Sequence, residues 1–248
     1  MVPGSPTYVA KQLHQNLREY CDQHGPAPAA FDADGTLWGT DLGEALFLYQ
    51  IKNHLLPQLP KKPWEHYEYL KENVSHEVAY LWLAQINKGL PLEQIRQWAE
   101  KAVAELDPLP IYQEIQETID LLHQLKCPVY IVTASIKWAV EPGARRVGVP
   151  VENVIGVQTQ VDQGIISDKA FGAMTYKQGK VIGLKTATKG IPAFFCAGNT
   201  EGDLPLLESA THFRLVVTGS PPKNSNYQTE QKMIQIAQKN NWHHCKYY

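Results

Sequence analysis

The sequence contains no apolar run near the roughly 18–20 residues that a membrane-spanning helix needs, so a membrane-embedded role is not expected. It also lacks a surplus of either charge: 23 Lys and Arg stand against 25 Asp and Glu, for a net charge of −2. Without a basic excess there is no global field to recruit nucleic acid or an anionic membrane. Cysteine is sparse. The four residues Cys21, Cys127, Cys196 and Cys245 lie far apart and form no CxxC pair. Two of them fall within or beside apolar runs, where cysteine acts as a small hydrophobe. The first thirty residues lack the apolar stretch of a secretory leader, and a reduced, soluble, cytoplasmic chain is the expectation. No internal repeat or low-complexity tract is found. What remains is a chain of 248 residues, 44% hydrophobic and 19% charged, which suits one packed core with an insertion.

Residues 7–24 read as a polar amphipathic helix ended by Gly25-Pro26. Pro28-Ala29-Ala30-Phe31 is a short apolar strand that stops at Asp32-Ala33-Asp34-Gly35-Thr36. From Gly43 to Asp107 the signal is helical throughout, with Trp64 to Ile86 as one segment ended by Asn87-Lys88-Gly89, and a further helix to about Leu106. This stretch reads as a helical unit inserted into the core. Strand and helix then alternate: a helix over 111–125, a strand at 129–132 ending at Thr133-Ala134-Ser135, and a helix through Ala144. After a brief strand at 154–156, residues 157–167 look like a hairpin turning at Asp162-Gln163-Gly164. A helix from about Lys180, a strand at 193–197, a short helix at 203–210, a strand at 213–217 and a helix at 228–239 complete the pattern. Such alternation implies an α/β fold with a parallel sheet. His243, His244 and Cys245 read as an ordinary exposed end, not a metal-binding tail.

Asp32 and Asp34 are two apart on an extended segment, so both carboxylates share one face at the end of a buried strand. Paired carboxylates repel each other, and a divalent cation is the common remedy. With Mg²⁺ present, one can attack as a nucleophile while the other shuttles a proton. The structural alternative is an Asp-Gly turn with capping acids.

Three further motifs follow in order: Val129-Tyr-Ile-Val-Thr133-Ala-Ser135, then Tyr176-Lys-Gln-Gly-Lys180, then Gly198-Asn199-Thr-Glu-Gly-Asp203. Together with Phe31-Asp-Ala-Asp-Gly-Thr-Leu37 they resemble the four motifs of the haloacid dehalogenase-like phosphatases. The resemblance covers roughly 28–42 and 108–217. It implies a Rossmann-like core formed by 1–42 and 108–248, and a helical cap over 43–107. It implies Asp32 as nucleophile, Asp34 as general acid and base, Thr133 as a donor to a phosphoryl oxygen, and Lys180 as the neutralising cation. Lys177 and Lys185 compete for the lysine role; Gly179 favours Lys180 by letting the chain enter the next helix close to the site. Mg²⁺ would be held by Asp32, the carbonyl of Asp34, Asn199 and Asp203. Asn199 stands where these phosphatases usually carry Asp. Ser135 is either a further hydroxyl donor or a helix N-cap.

An insert directly after the first motif resembles the cap of the phosphoserine phosphatase-like branch, which closes over the site and selects the organic half of the substrate. Asp41 or Glu44 is the candidate acid for an amine, but no Arg lies between Arg18 and Arg96 to clamp a carboxylate. The segment 41–46 also resembles phosphocholine and phosphoethanolamine phosphatases. Trp38, Trp64, Tyr67, Tyr69, Tyr80, Trp82 and Trp98 provide aromatic faces for a cationic head group, or simply the core of the bundle. The expected partner is a small phosphorylated metabolite, with phosphotransfer between sugars or a catalytically silent phosphate-binding module as alternatives. Oligomeric state is not legible.

Overall fold

A computed structural model describes residues 5–248. Its strands are β1 (Ala29–Phe31), β2 (Val129–Ile136), β3 (Val154–Val157), β4 (Thr159–Asp162), β5 (Ile165–Ala170), β6 (Phe195–Gly198), β7 (Phe213–Thr218) and β8 (His243–Lys246). Six of them form a parallel sheet in the order β3-β2-β1-β6-β7-β8, and β4 and β5 pair as a separate antiparallel hairpin. The chain builds outward from β1 to β3, then restarts beside β1 at β6. The C-terminal ends of β1 and β6 therefore flank the switch point where open α/β sheets place their ligands.

The sheet's two faces follow a period of two. Ala29, Phe31, Val129, Ile131, Phe195, Ala197, Leu215 and Val217 pack with α1 (Pro6–His24). Ala30, Val132, Cys196 and Val216 belong to the opposite core. The inserted helices are α2 (Leu42–Lys52), α3 (Pro63–Asn73), α4 (His76–Gln85) and α5 (Leu92–Ala104). After them come α6 (Gln113–Gln124), whose Ile115, Ile119 and Leu122 join α1, and α7 (Lys137–Arg146). The second face is covered by α8 (Gln178–Ala187), α9 (Leu204–Ser209) and α10 (Tyr227–Lys239) through Leu184, Leu206, Leu207, Met233 and Ala237.

Phe47 is the centre of the insert, ringed by Trp64, Tyr67 and Trp82 at centroid distances of 5.5–6.2 Å. The single segment expected over 64–86 is in fact two helices. Ser75 accepts a hydrogen bond from Val78 N at 3.2 Å and so starts α4 as its N-cap. The insert shares its core with the rest of the chain: Ile136, Trp138, Ala139, Val157 and Ile166 complete its apolar cluster. The hairpin is tied to it by main-chain bonds from Gly89 N to Ile166 O (2.8 Å), Ile166 N to Leu90 O (3.0 Å) and Leu92 N to Gly164 O (2.9 Å). Its turn is Gln163-Gly164, both at positive φ (48° and 82°), as a tight two-residue hairpin requires.

Three other expectations change. β2 runs on to Ile136, because Ile136 still pairs with Val157 beyond a register shift. α6 begins at Gln113, because Ile111 is held extended in a bridge with Trp38. Residues 243–246 form the sheet's sixth strand, with Cys245 buried and Tyr247 stacked on Tyr112 at 4.1 Å. A four-residue strand with one buried side chain is too short for periodicity to reveal. Among the described residues no helix is long and apolar enough to cross a membrane.

His243 lies 3.2 Å from Asn16 of α1, and burial, followed by the nearby His244, lowers its pKa from the ordinary 6.5. A folded value below the unfolded one means that the neutral ring's contribution is present above about pH 6.5 and lost as pH falls through the folded value. The thermal midpoint is expected to drop on acidification from about pH 7 to 5, and to drop less in His243→Gln, as followed by circular dichroism.

Candidate active site

The β1 ladder extends one residue past Phe31, since Asp32 N donates to Ala197 O at 2.9 Å. The chain then turns at Gly35, whose φ is 82°. A Cβ at Gly35 would also sit 2.1 Å from Asn199 Nδ2, so any larger residue there would displace the Asn199 amide. Thr36, fully buried, donates to Asp32 Oδ2 at 2.9 Å.

Of the three candidate lysines, Lys180 is the one placed beside Asp32. Its Nζ is 2.5 Å from Asp32 Oδ1 and 2.6 Å from Asp203 Oδ1, with all three side chains buried. Lys177 and Lys185 are exposed. Gly179 is what brings α8 this close, because a Cβ there would lie 1.6 Å from Met174 O. Burial alone would lower the Lys180 pKa, but Asp203 and Asp32 outweigh it and hold the ammonium above its usual range. Burial, and then Asp203, push the Asp32 carboxyl up to about 7 against the pull of Lys180. The pocket is short of positive charge.

Asp34 faces the insert. Its Oδ1 accepts from Trp38 Nε1 (2.8 Å) and Leu42 N (3.0 Å), and its Oδ2 accepts from Ser135 Oγ (2.6 Å). Burial raises its pKa, with those three donors opposing. Ser135 is therefore not the N-cap of α7, a place taken by Ile136. Thr133 Oγ1 accepts from Ser135 N at 3.0 Å, which leaves its hydroxyl hydrogen to donate elsewhere. Asp203 Oδ2 accepts from Asn199 N, Thr200 N and Thr200 Oγ1 at 2.9–3.1 Å and so fixes the β6 loop.

The donor set suits a divalent cation. Asn199 Nδ2 donates to the buried Glu230 of α10 at 3.3 Å, which turns Oδ1 toward Asp32. Thr36 has one hydroxyl hydrogen, directed to Asp32 Oδ2 at 2.9 Å and not to Asn199 Oδ1 at 3.4 Å. Asn199 Oδ1 is thus a buried oxygen without a firm donor, beside an undercompensated carboxylate. Among the described residues no three His, Cys, Asp or Glu side chains are grouped to hold a metal, so the fit rests on mixed donors such as the Asn199 amide oxygen beside Asp32.

In the insert, Asp41 caps α2 by accepting from Glu44 N at 2.8 Å, and burial, then Asp34 and Glu44, push its pKa well up. Glu44 is already paired: Lys71 Nζ is 3.1 Å from its Oε1, and Tyr67 Oη donates to the same oxygen at 3.4 Å. Arg96 makes a two-pronged bond to Glu141 of α7 and is unavailable as a carboxylate clamp. Sequence reasoning missed Lys71, Glu230 and the Trp38 contact to Asp34. Lys71 is four residues after Tyr67 on one helical face, and Glu230 occupies the position preceding Met233 and Ala237 on the buried stripe of α10, where an apolar residue is expected.

An aspartate pair on a strand end, a buried lysine and a ring of hydroxyl and amide donors are the groups that hydrolysis through a carboxylate nucleophile would require. The haloacid dehalogenase-like hydrolase profile matches residues 29–208, and the chain belongs to that family. No curated protein matches its sequence. Among solved structures, a Bordetella pertussis Tohama I protein of unknown function aligns with a TM-score of 0.70 at 20% identity, over 90% of this chain and 99% of that one. A phosphoserine phosphohydrolase-like protein from Francisella tularensis aligns at 0.54 and 17%, over 85% and 92%. A phosphoserine phosphatase carrying a phospho-aspartyl intermediate analogue aligns at 0.54 and 14%, over 90% and 94%. The fold is thus shared with the phosphoserine phosphatase-like branch.

Lys180→Met would leave Asp32 and Asp203 buried without their cation. A loss of about 3–5 kcal/mol in urea denaturation at neutral pH is expected; a loss below about 1 kcal/mol would contradict the ion-pair reading.

Proposed function

We propose that the chain is a Mg²⁺-dependent phosphomonoesterase that forms an aspartyl-phosphate on Asp32. The observation that carries this reading is the buried Lys180 ammonium, 2.5 Å from Asp32, in a pocket that still lacks positive charge. Asp32 attacks phosphorus, and the bond to the ester oxygen breaks with its electrons. Asp34 gives that oxygen a proton. In the second half, Asp34 takes a proton from water as the water attacks phosphorus, which frees Asp32 and releases phosphate. Asp34 Oδ1 faces two N–H donors and must remain an acceptor, whereas Oδ2 faces only the Ser135 hydroxyl, which can reverse its role. The transferable proton therefore belongs on Oδ2. Thr133 and Lys180 hold equatorial phosphoryl oxygens, where the transition state gathers charge.

Asp32, the carbonyl of Asp34, Asn199 and Asp203 would hold Mg²⁺, with Asp203 reaching it directly or through water. When bound, the ion supplies charge that lets a phosphate dianion approach Asp32. For the organic half, Asp41 and Glu44 against the single Lys71 favour an amine-bearing phosphomonoester, such as phosphoethanolamine or phosphocholine. Phosphoserine would need Lys71 to hold its carboxylate, since Arg96 is engaged by Glu141. The substrate is a small metabolite and the expected place of reaction is the cytoplasm.

Phosphate release from p-nitrophenyl phosphate tests the chemistry, and a panel of amine-bearing and anionic phosphomonoesters tests the substrate class. Wild type should turn over with Mg²⁺ and stop in EDTA, while Asp32→Asn should be folded and inactive. Turnover by Asp32→Asn would remove the nucleophile assignment, and turnover only with a sugar-phosphate acceptor would indicate phosphotransfer.

Asn199→Asp should lower the Mg²⁺ concentration for half-maximal activity. It should also lower metal-free stability by roughly 1–3 kcal/mol, because a second carboxylate then faces Glu230 without the amide's N–H. An unchanged Mg²⁺ requirement would take residue 199 out of the metal site.

A further inference from the structure

The insert and the core also touch through three rings that the proposed chemistry leaves unused. His76, the first residue of α4, stacks on Tyr176 of the core loop before α8, with centroids 5.3 Å apart and planes at 26°. One turn later, Tyr80 meets the same ring edge-on at 5.8 Å and 69°. His76 Nδ1 and Tyr80 Oη lie 3.2 Å apart, which locks the two insert rings together. Tyr176 also packs against Gly202, where a Cβ would stand 2.9 Å from its Cε2. The ring thus lies against both α4 and the residue that precedes Asp203.

The main chain around Tyr176 leads straight to the lysine. Tyr176 O accepts from Gly179 N at 2.9 Å, Lys177 N donates to Gly202 O at 3.1 Å, and Lys180 N donates to Lys177 O at 3.1 Å. Lys177 sits at φ 48° and ψ −122°, a conformation that a non-glycine residue keeps only when its surroundings impose it. The Tyr176 and Gly202 contacts are those surroundings. A shift of α4 that moved the Tyr176 ring would bear on both partners of the ion pair, Lys180 through the loop and Asp203 through Gly202.

We propose that Tyr176 is a positioning residue for Lys180, and that His76 and Tyr80 latch it to the insert, so that the seating of α4 sets the geometry of the lysine. The inference builds on the role given to Lys180 above.

Hydrogen exchange of the metal- and substrate-free protein tests the coupling without reference to activity. Wild type, His76→Ala, Tyr176→Ala and Tyr176→Phe would be compared over residues 76–85 and 176–187. His76→Ala is expected to speed exchange in the core segment, and Tyr176→Ala to speed it in α4, each by about tenfold, while Tyr176→Phe keeps the ring and both protections. With p-nitrophenyl phosphate, Tyr176→Ala should lose about tenfold or more in kcat with KM moved less than about threefold, and Tyr176→Phe should restore it. Each alanine variant loosening its own segment alone would overturn the latch, even with wild type fully active. Coupled exchange in a wild-type protein that releases no phosphate would sustain the latch and remove the phosphatase reading instead.

Discussion

One ammonium group holds the centre of this molecule together. Lys180 lies between Asp32 at the end of β1 and Asp203 beyond β6, and it reaches them from α8, an element of the opposite layer. Three separate parts of the chain therefore meet on a buried charge that none could keep alone, because unpaired ions in the interior are costly. The close approaches around it serve that meeting. Gly179 admits α8 past Met174, Gly35 admits Asn199, and Gly202 admits Tyr176. The result is a site whose hydrogen-bond donors are already oriented, and the reorganisation that water would need during phosphoryl transfer is avoided.

The charges in the site fall into two halves. On one side Asp32, Lys180, Asn199 and Asp203 form a compact polar floor between β1 and β6. On the other, Asp34 is turned toward the insert by Trp38, Leu42 and Ser135. The two aspartates of the first motif lie two residues apart but in different environments. One is held by a cation and the other by neutral donors, the kind of contrast that separates the protonation of neighbouring carboxyls.

Much of the fold was legible in the residues. The alternation of apolar runs with helical periods identified the parallel sheet and the insert, while Asp32, Asp34, Thr133 and Lys180 were singled out by the resemblance of four ordered motifs. Legibility ended where contacts come from far along the chain. Glu230 orients Asn199 from 31 positions away, and Lys71 meets Glu44 across 27. No local period carries such information. The break at Ser75 and the strand at His243 were missed for a different reason: a single capping serine and a four-residue edge strand are signals too brief to outweigh the pattern around them.

Glu230 has one more implication, for the order in which the protein is made. Asn199 precedes α10 in the chain, so its amide gains its Glu230 partner only once that helix is made and in place. Only when the last helix docks do Ser220, Gly219 and Asn199 all close on one carboxylate. Docking of α10 thus does two things at once: it fixes the Asn199 amide through Glu230 and closes the sheet's second core with Met233 and Ala237.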